Sequence, residues 1–271
     1  MRSGMLRSSS QYGAPRKLLD TYIGAAGVYS LRQLRTGYSG PAIRVRRSSD
    51  DTEQDIYFLN GILDTVSLLA FCGAGNGFVR TWYDQSGFGR HAQQTTNADQ
   101  PQIVSSGAVI TQGSKPAIDF LGTKGFTAYS ALYATAPSGF NTFCVASPGA
   151  SGSFRGLFSP GSSVTQHMLL SQLTSDGVWG SFSTSGQPAS GTFNTRSLLE
   201  MQSADGETGD FFFNNSGAGS FATSIGQSTL IGGAPGQKHD GTIQEIIYFE
   251  SNQAPVRATI ASGINSFYSI Y

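Results

Sequence analysis

Apolar residues in this chain come in short bursts. "PQIV", "AVIT", "PAIDFLG", "NTFCVASP", "RGLFSP", "HMLLSQLTS", "GVWGSFST", "TRSLLEMQSA", "GDFFFNNS", "STLIGG" and "TIQEIIYFES" each hold a few apolar side chains bounded by Gly, Ser, Pro or Asn. Runs of this length between turn residues are strands, and about a dozen of them are what a two-sheet sandwich needs. "PAIRVRRSS" sets Ile43 and Val45 against Arg44 and Arg46, the period of a half-exposed strand, and "GFVRTWYDQSG" is a strand entering a turn. Helical spacing occurs in three places. "KLLDTYIGAAGVYSLRQL" predicts one short helix or two, interrupted at Gly24 and Gly27. Asp64 to Phe71 predicts a second, ended by Gly73 and Gly75, and Val256, Ile260, Ile264 and Phe267 share one face of a closing helix.

Composition agrees with that pattern. Gly at 35 residues, 11% aromatic and 13% charged residues describe short strands and tight turns rather than a helical protein. With 271 residues the chain is long enough for one large all-β domain. No run approaches the roughly 20 apolar residues of a membrane span, and "MRSGMLRSSSQYGAPRK" lacks the apolar core of a signal peptide, so the expectation is a protein made in the cytoplasm, away from membranes. In that compartment Cys72 and Cys144 are expected as buried thiols, with a disulfide as the alternative.

The formal net charge of zero hides an asymmetry: residues 1–47 carry +8 and the remainder −8. A basic arm of this kind suits nucleic acid or an acidic partner. Arg32, Arg35, Arg44, Arg46 and Arg47 have an equally weighted alternative, pairing with Asp50, Asp51, Glu53 and Asp55 just downstream. Residues 1 to about 17 hold too little apolar surface to order alone. Arg2, Arg7, Arg16 and Lys17, with the apolar pair Leu18 and Leu19, form the expected assembly anchor within an arm of residues 1–26 ahead of a domain of residues 27–271.

The densest mixture of chemistry is "TWYDQSGFGRHA". Trp82, Tyr83, Arg90, His91 and the distant Trp179 are candidate ligand-binding residues, the rings as stacking platforms, against a core role for the aromatics. Asp84, Ser86 and Gly87 are expected to build a turn, with catalysis by Asp84 as the weaker alternative. No metal cluster, phosphate loop or nucleophile elbow is present in the sequence, and no cofactor is expected. His239-Asp240 before Gly241 reads as a turn, with metal binding as the lesser alternative.

"WYDQSGFGRHAQQ", then "QPQIV", "KPAIDFLGTKGF" and a late "GTIQEIIYFES" before a terminal helix resemble the concanavalin A-like, laminin-G-like jelly rolls. More narrowly, "YSGPAIRVRRSSDDTEQDI", "FCGAGNGFVRTWYDQSG" and "GRHAQQ" resemble the catalytic domain of the B-type α-L-arabinofuranosidases, and similar segments occur in bacteriophage virion proteins. The resemblance implies a concanavalin A-like sandwich with short N- and C-terminal helices. In that family a nucleophilic Glu follows His-Met and an acid/base Asp follows Gly-Gly. Here Leu169 follows His167-Met168 and Ala234 follows Gly232-Gly233, so the expectation is no enzyme and no catalytic residue.

The leading expectation is thus a non-catalytic virion protein, a head decoration, tail or fibre component made in the host cytoplasm. Its partners would be other virion proteins through the arm, and cell-surface polysaccharide, in a homo-oligomer within the assembly. A lectin-like carbohydrate-binding module is the alternative, and an arabinofuranosidase-like glycosidase a third reading.

Overall fold

The computed structural model describes residues 16–128, 138–149, 156–159, 171–173, 178–180, 189–190, 195–206, 208–222, 230–234 and 237–271. They form the expected all-β architecture: one large antiparallel sheet folded over itself, with smaller sheets and three short helices. The strand Gly241–Phe249 organises it, pairing with Ala25–Ser30, with Phe140–Pro148 and with Ile118–Asp119. Period-two alternation sends Ile246 and Tyr248 of this strand into the main core with Trp82, Phe120, Phe126 and Phe158, while Ile247 and Phe249 face the opposite side. There they meet Val28, Phe143 and Val145 from neighbouring strands and Leu19, Ile260, Ala261 and Ile264 from the helices. Burial on both faces is why "IQEIIYF" and "FCVA" read as nearly unbroken apolar runs.

The helix Thr65–Cys72, α2 in chain order, follows its sequence signals. Asp64 caps it, accepting from the Ser67 amide at 3.0 Å, and Gly73 ends it at φ 59°. The closing helix Arg257–Tyr268, α3, buries Ile260, Ala261, Ile264 and Tyr268. The first helical segment departs from expectation. Only Leu18–Thr21, α1, is helical, and Ala25–Ser30 is a strand whose six residues are all buried. Gly24 at φ 91° breaks the helix, and pairing with Gly241–Phe249 outweighs the weak helical spacing of Ala26, Tyr29 and Leu34.

The arginine pairing also emerges. Arg44 reaches Glu53 at 2.7 Å and Asp55 at 3.2 Å, Arg46 meets Asp51, and Arg47 meets Asp50 at 2.6 Å. Arg32 pairs instead with the buried Glu245, 2.7 Å away. Cys72 and Cys144 are free buried thiols. No described helix is long and apolar enough to cross a membrane.

Candidate functional site

The strand Gly77–Trp82 delivers the chain into the Asp84 turn, and nearly every polar group there is spent on the fold. Asp84 is 2% exposed. One carboxylate oxygen accepts from the amides of Val28 at 2.9 Å and Ser86 at 2.8 Å; the other accepts from the Ser86 hydroxyl and from the Arg90 amide at 3.1 Å. The Asp84 amide donates to His91 Nδ1 at 3.1 Å, and Gly87 and Gly89 turn the chain at φ 97° and 69°. Gln85 extends the same function, accepting from the Leu34 amide and donating to the carbonyls of Ser30 and Arg32.

The expected ligand-binding residues do not assemble into an open site. Trp82 is 0% exposed, its ring 6.0 Å from Tyr29 and 6.3 Å from Phe126, so no sugar can stack on it without opening the core. Tyr83 donates to Asp55 at 2.8 Å and stands edge-on to His91. Burial lowers the His91 pKa, with the Asp84 charge opposing, which favours the neutral imidazole whose Nδ1 accepts from the turn. Arg90 donates to the Ala26 carbonyl at 3.0 Å and to Glu250 at 3.3 Å. Trp179 lies in the strand Val178–Gly180 of a separate three-stranded sheet, and its side chain is outside the described residues.

The expected anchor is likewise altered. Arg2 and Arg7 lie outside the described residues. Leu19 is 1% exposed beneath α3, and Leu18 packs over Gly263, so the apolar pair faces this domain rather than a partner. Arg16 is exposed, and Lys17 is half-buried at the start of α1.

A different cluster has the properties of a chemical site. Ile118 points into the core, and Asp119, next along the strand, points away from it. The following turn is held to the opposite chain by bonds from the Phe120 amide to the Gly241 carbonyl and from the Gly122 amide to the His239 carbonyl, both 3.0 Å. Asp240, next to His239 in that opposite chain, is near enough for its charge to act on Asp119. Asp119 accepts from the Leu121 amide at 3.0 Å, and its carboxyl pKa is raised, first by burial and further by the Asp240 charge. Leu121, a residue with a Cβ, sits at φ 51° and is exposed, a costly conformation that holds this corner open. Behind the pair, Gly232 lies so close to Phe120 that a Cβ would stand 1.9 Å from the ring, and His239 meets the same ring edge-on. Lys124 donates to the Ala98 carbonyl, and the Lys238 ammonium lies against Gly125. A carboxyl group whose proton affinity is raised by burial is a candidate for general acid chemistry. No group of three or more metal-ligating side chains occurs among the described residues.

Two other buried carboxylates have interior partners. Glu245 is held by Arg32, Ser30 and Tyr268. Glu200, 0% exposed, is pushed up to about 7 by burial despite its bond with Arg257 at 2.7 Å. Sequence reasoning passed over Asp119, a lone acid inside "PAIDFLG", and gave His239-Asp240 to a turn. Only the cross-strand pairing joins them.

A model of the catalytic domain of α-L-arabinofuranosidase B matches residues 22–142, less than half of the chain. A GH54 α-L-arabinofuranosidase soaked with a cyclic sulfate inhibitor superimposes with a TM-score of 0.61 at 14% identity, covering 91% of this chain and 64% of that one. A mutant GH54 enzyme soaked with 4-nitrophenyl α-L-arabinofuranoside gives 0.64 at 15% identity, and an arabinofuranosidase complexed with arabinofuranosyl-α-1,2-xylobiose gives 0.60 at 14%, with the same coverage. The fold is that of the arabinofuranosidases. The chain spans 64% of the length of these enzymes, and at such identities the likeness is one of architecture. No relative is found among curated protein sequences.

These matches overturn the expectation of a non-enzyme. The model that matches describes the catalytic domain of α-L-arabinofuranosidase B, and its match ends at residue 142, before Leu169 and Ala234. The family match therefore aligns neither position with a carboxylate of the family. Leu169 lies outside the described residues, as does the side chain of Ala234. The virion context draws no support from the comparisons.

Proposed function

We propose that this chain is a carbohydrate-active sandwich of arabinofuranosidase type, cleaving terminal α-L-arabinofuranosyl linkages with Asp119 and Asp240 as its carboxyl pair. The match of the arabinofuranosidase B catalytic domain to residues 22–142 carries the reading. That segment includes Asp119. Glycoside cleavage needs a proton delivered to the leaving oxygen and negative charge near the developing oxocarbenium ion. Asp119, its pKa raised by burial and by its neighbour, retains a proton further towards neutral pH than an ordinary carboxyl group and serves as the acid. Asp240 is the second carboxylate, facing the sugar ring.

Hydrolysis of 4-nitrophenyl α-L-arabinofuranoside tests the proposal. Turnover above background is expected, falling about a thousandfold or more in Asp119→Asn and in Asp240→Asn with the fold intact. Absence of turnover by the natural chain, with calorimetric binding of an arabinosylated xylo-oligosaccharide retained, would overturn hydrolysis and leave a carbohydrate-binding module. Turnover unaffected by either substitution would move catalysis to other carboxylates.

A further inference from the structure

Among the described residues, seven arginines of this domain, Arg32, Arg44, Arg46, Arg47, Arg80, Arg90 and Arg257, are paired with carboxylates. Lys17 is not. Its backbone amide donates to Asp20 at 3.0 Å, and its ammonium has no carboxylate partner among the described residues. The ammonium is held in a defined place, over the Asn60-Gly61 turn that joins the strands Phe58–Leu59 and Ile62–Leu63. Asn60 and Gly61 both have positive φ, at 54° and 81°, as such tight hairpins require. A Cβ on Gly61 would stand 2.3 Å from Lys17 Nζ, and the positive φ of the turn favours glycine there.

Two concavities of about 390 and 340 Å³ meet at this point and share Lys17, Gln33, Asn60 and Gly61 in their walls. No Asp or Glu lines either. The rest of the first wall suits a sugar. Tyr57 is 51% exposed, leaving a ring available for stacking. Tyr38 is fixed edge-on to Phe58, with its hydroxyl donating to the Pro41 carbonyl at 2.8 Å. Gln33 donates its Nε2 to the Tyr38 carbonyl at 2.7 Å, which fixes the amide and turns Oε1 towards the groove as an acceptor for hydroxyls. The second wall adds the exposed Arg16.

We infer that this groove is a binding site for an acidic oligosaccharide, with Lys17 pairing a uronate carboxylate while Tyr57, Gln33 and Asn60 take the sugar ring and its hydroxyls. A half-buried cation without a carboxylate partner favours an anion, and the neighbouring amides and open aromatic ring favour a carbohydrate anion over a bare ion. The inference rests on the carbohydrate reading above and names its polymer class: a polysaccharide with uronate substituents, gripped away from the carboxyl pair.

Calorimetric titration tests it, using a xylo-oligosaccharide bearing one glucuronate and the same compound with its carboxyl group reduced. The acidic compound is expected to bind about tenfold more tightly than the reduced one, and Lys17→Met should abolish that difference while leaving the melting temperature and arabinofuranoside turnover unchanged. Tyr57→Ala should weaken both compounds equally. Equal affinity for the two compounds, or an unchanged preference in Lys17→Met, would overturn the proposal. So would equal or tighter binding of a polyglutamate peptide, which would make the groove a site for acidic protein segments. Because turnover is read on the same variants, loss of hydrolytic activity and failure of the groove are separate outcomes.

Discussion

Asp84 and Asp119 make an instructive pair, since one follows a strand of the large sheet, the other ends one and both introduce a turn, yet the fold treats them oppositely. Asp84 accepts four hydrogen bonds, from Val28, Arg90 and twice from Ser86, and is closed off from solvent. Asp119 accepts one among the described residues, from Leu121, and feels the charge of Asp240. A saturated carboxylate holds backbone in place and has no lone pairs to offer a substrate. A partly buried carboxylate near another acid is instead costly to ionise, which adds little to stability and suits proton transfer. Abundance of functional side chains thus misleads: the segment rich in Asp, Arg, His and aromatics is scaffold, and the sparse corner around Asp119 is the stronger candidate for chemistry.

Substitution breaks the comparison most directly. Asp119→Asn should reduce kcat/KM on the aryl arabinofuranoside by about 10³-fold, roughly 4 kcal/mol of barrier, while moving the melting temperature little. A large fall in melting temperature without loss of turnover would return Asp119 to the scaffold. Asp84→Ala should do the reverse, costing about 3 to 4 kcal/mol of stability in denaturant unfolding because the amides of Val28, Ser86 and Arg90 lose a charged acceptor. The folded fraction should keep its turnover.

Glu200 sharpens the contrast, being buried like Asp84 yet destabilised in its charged form. Its folded pKa, pushed up to about 7 by burial, lies above the ordinary carboxyl value of 4.5. Folding therefore favours the protonated form, and its contribution is full below about pH 4.5 and lost as pH rises through about 7. Equilibrium unfolding across that window should show a decline on the order of 3 kcal/mol from this group, flattened in Glu200→Gln. An unchanged slope in that variant would show that Arg257 fully compensates the burial. The smallest effect belongs to His91 and has the opposite sign. Its lowered pKa makes the neutral ring the favoured folded form, so its stabilising contribution is present above the ordinary histidine value and is lost as pH falls through the lowered one. His91→Asn, followed by thermal melting between pH 5 and 8, should remove that small acid-side loss.

Much of the architecture was legible because strand periodicity and turn residues are local properties. Short apolar runs, the Asp64 cap, the Gly73 stop and the face of Ile260 and Ile264 each act within a few residues, and their elements formed where the pattern placed them. Ala25–Ser30 was misread because its conformation depends on a partner more than 200 residues away, and small apolar residues fit a helix or a doubly buried strand equally. The candidate site was hidden for the same reason. Asp119 and Asp240 are 121 positions apart, and no local spacing pairs them.

What the sequence determined by itself was therefore the class of fold, the run of short strands and the capacity of the Asp84 segment to turn. Only the tertiary structure decided which acids are spent and which are available, because hydrogen-bond saturation and charge proximity are properties of neighbours in space. Leu19, Trp82 and Lys17 illustrate the same point. Their identities permit anchor, platform or salt bridge, and packing alone sends the first two into the interior while leaving the lysine's ammonium over an open groove.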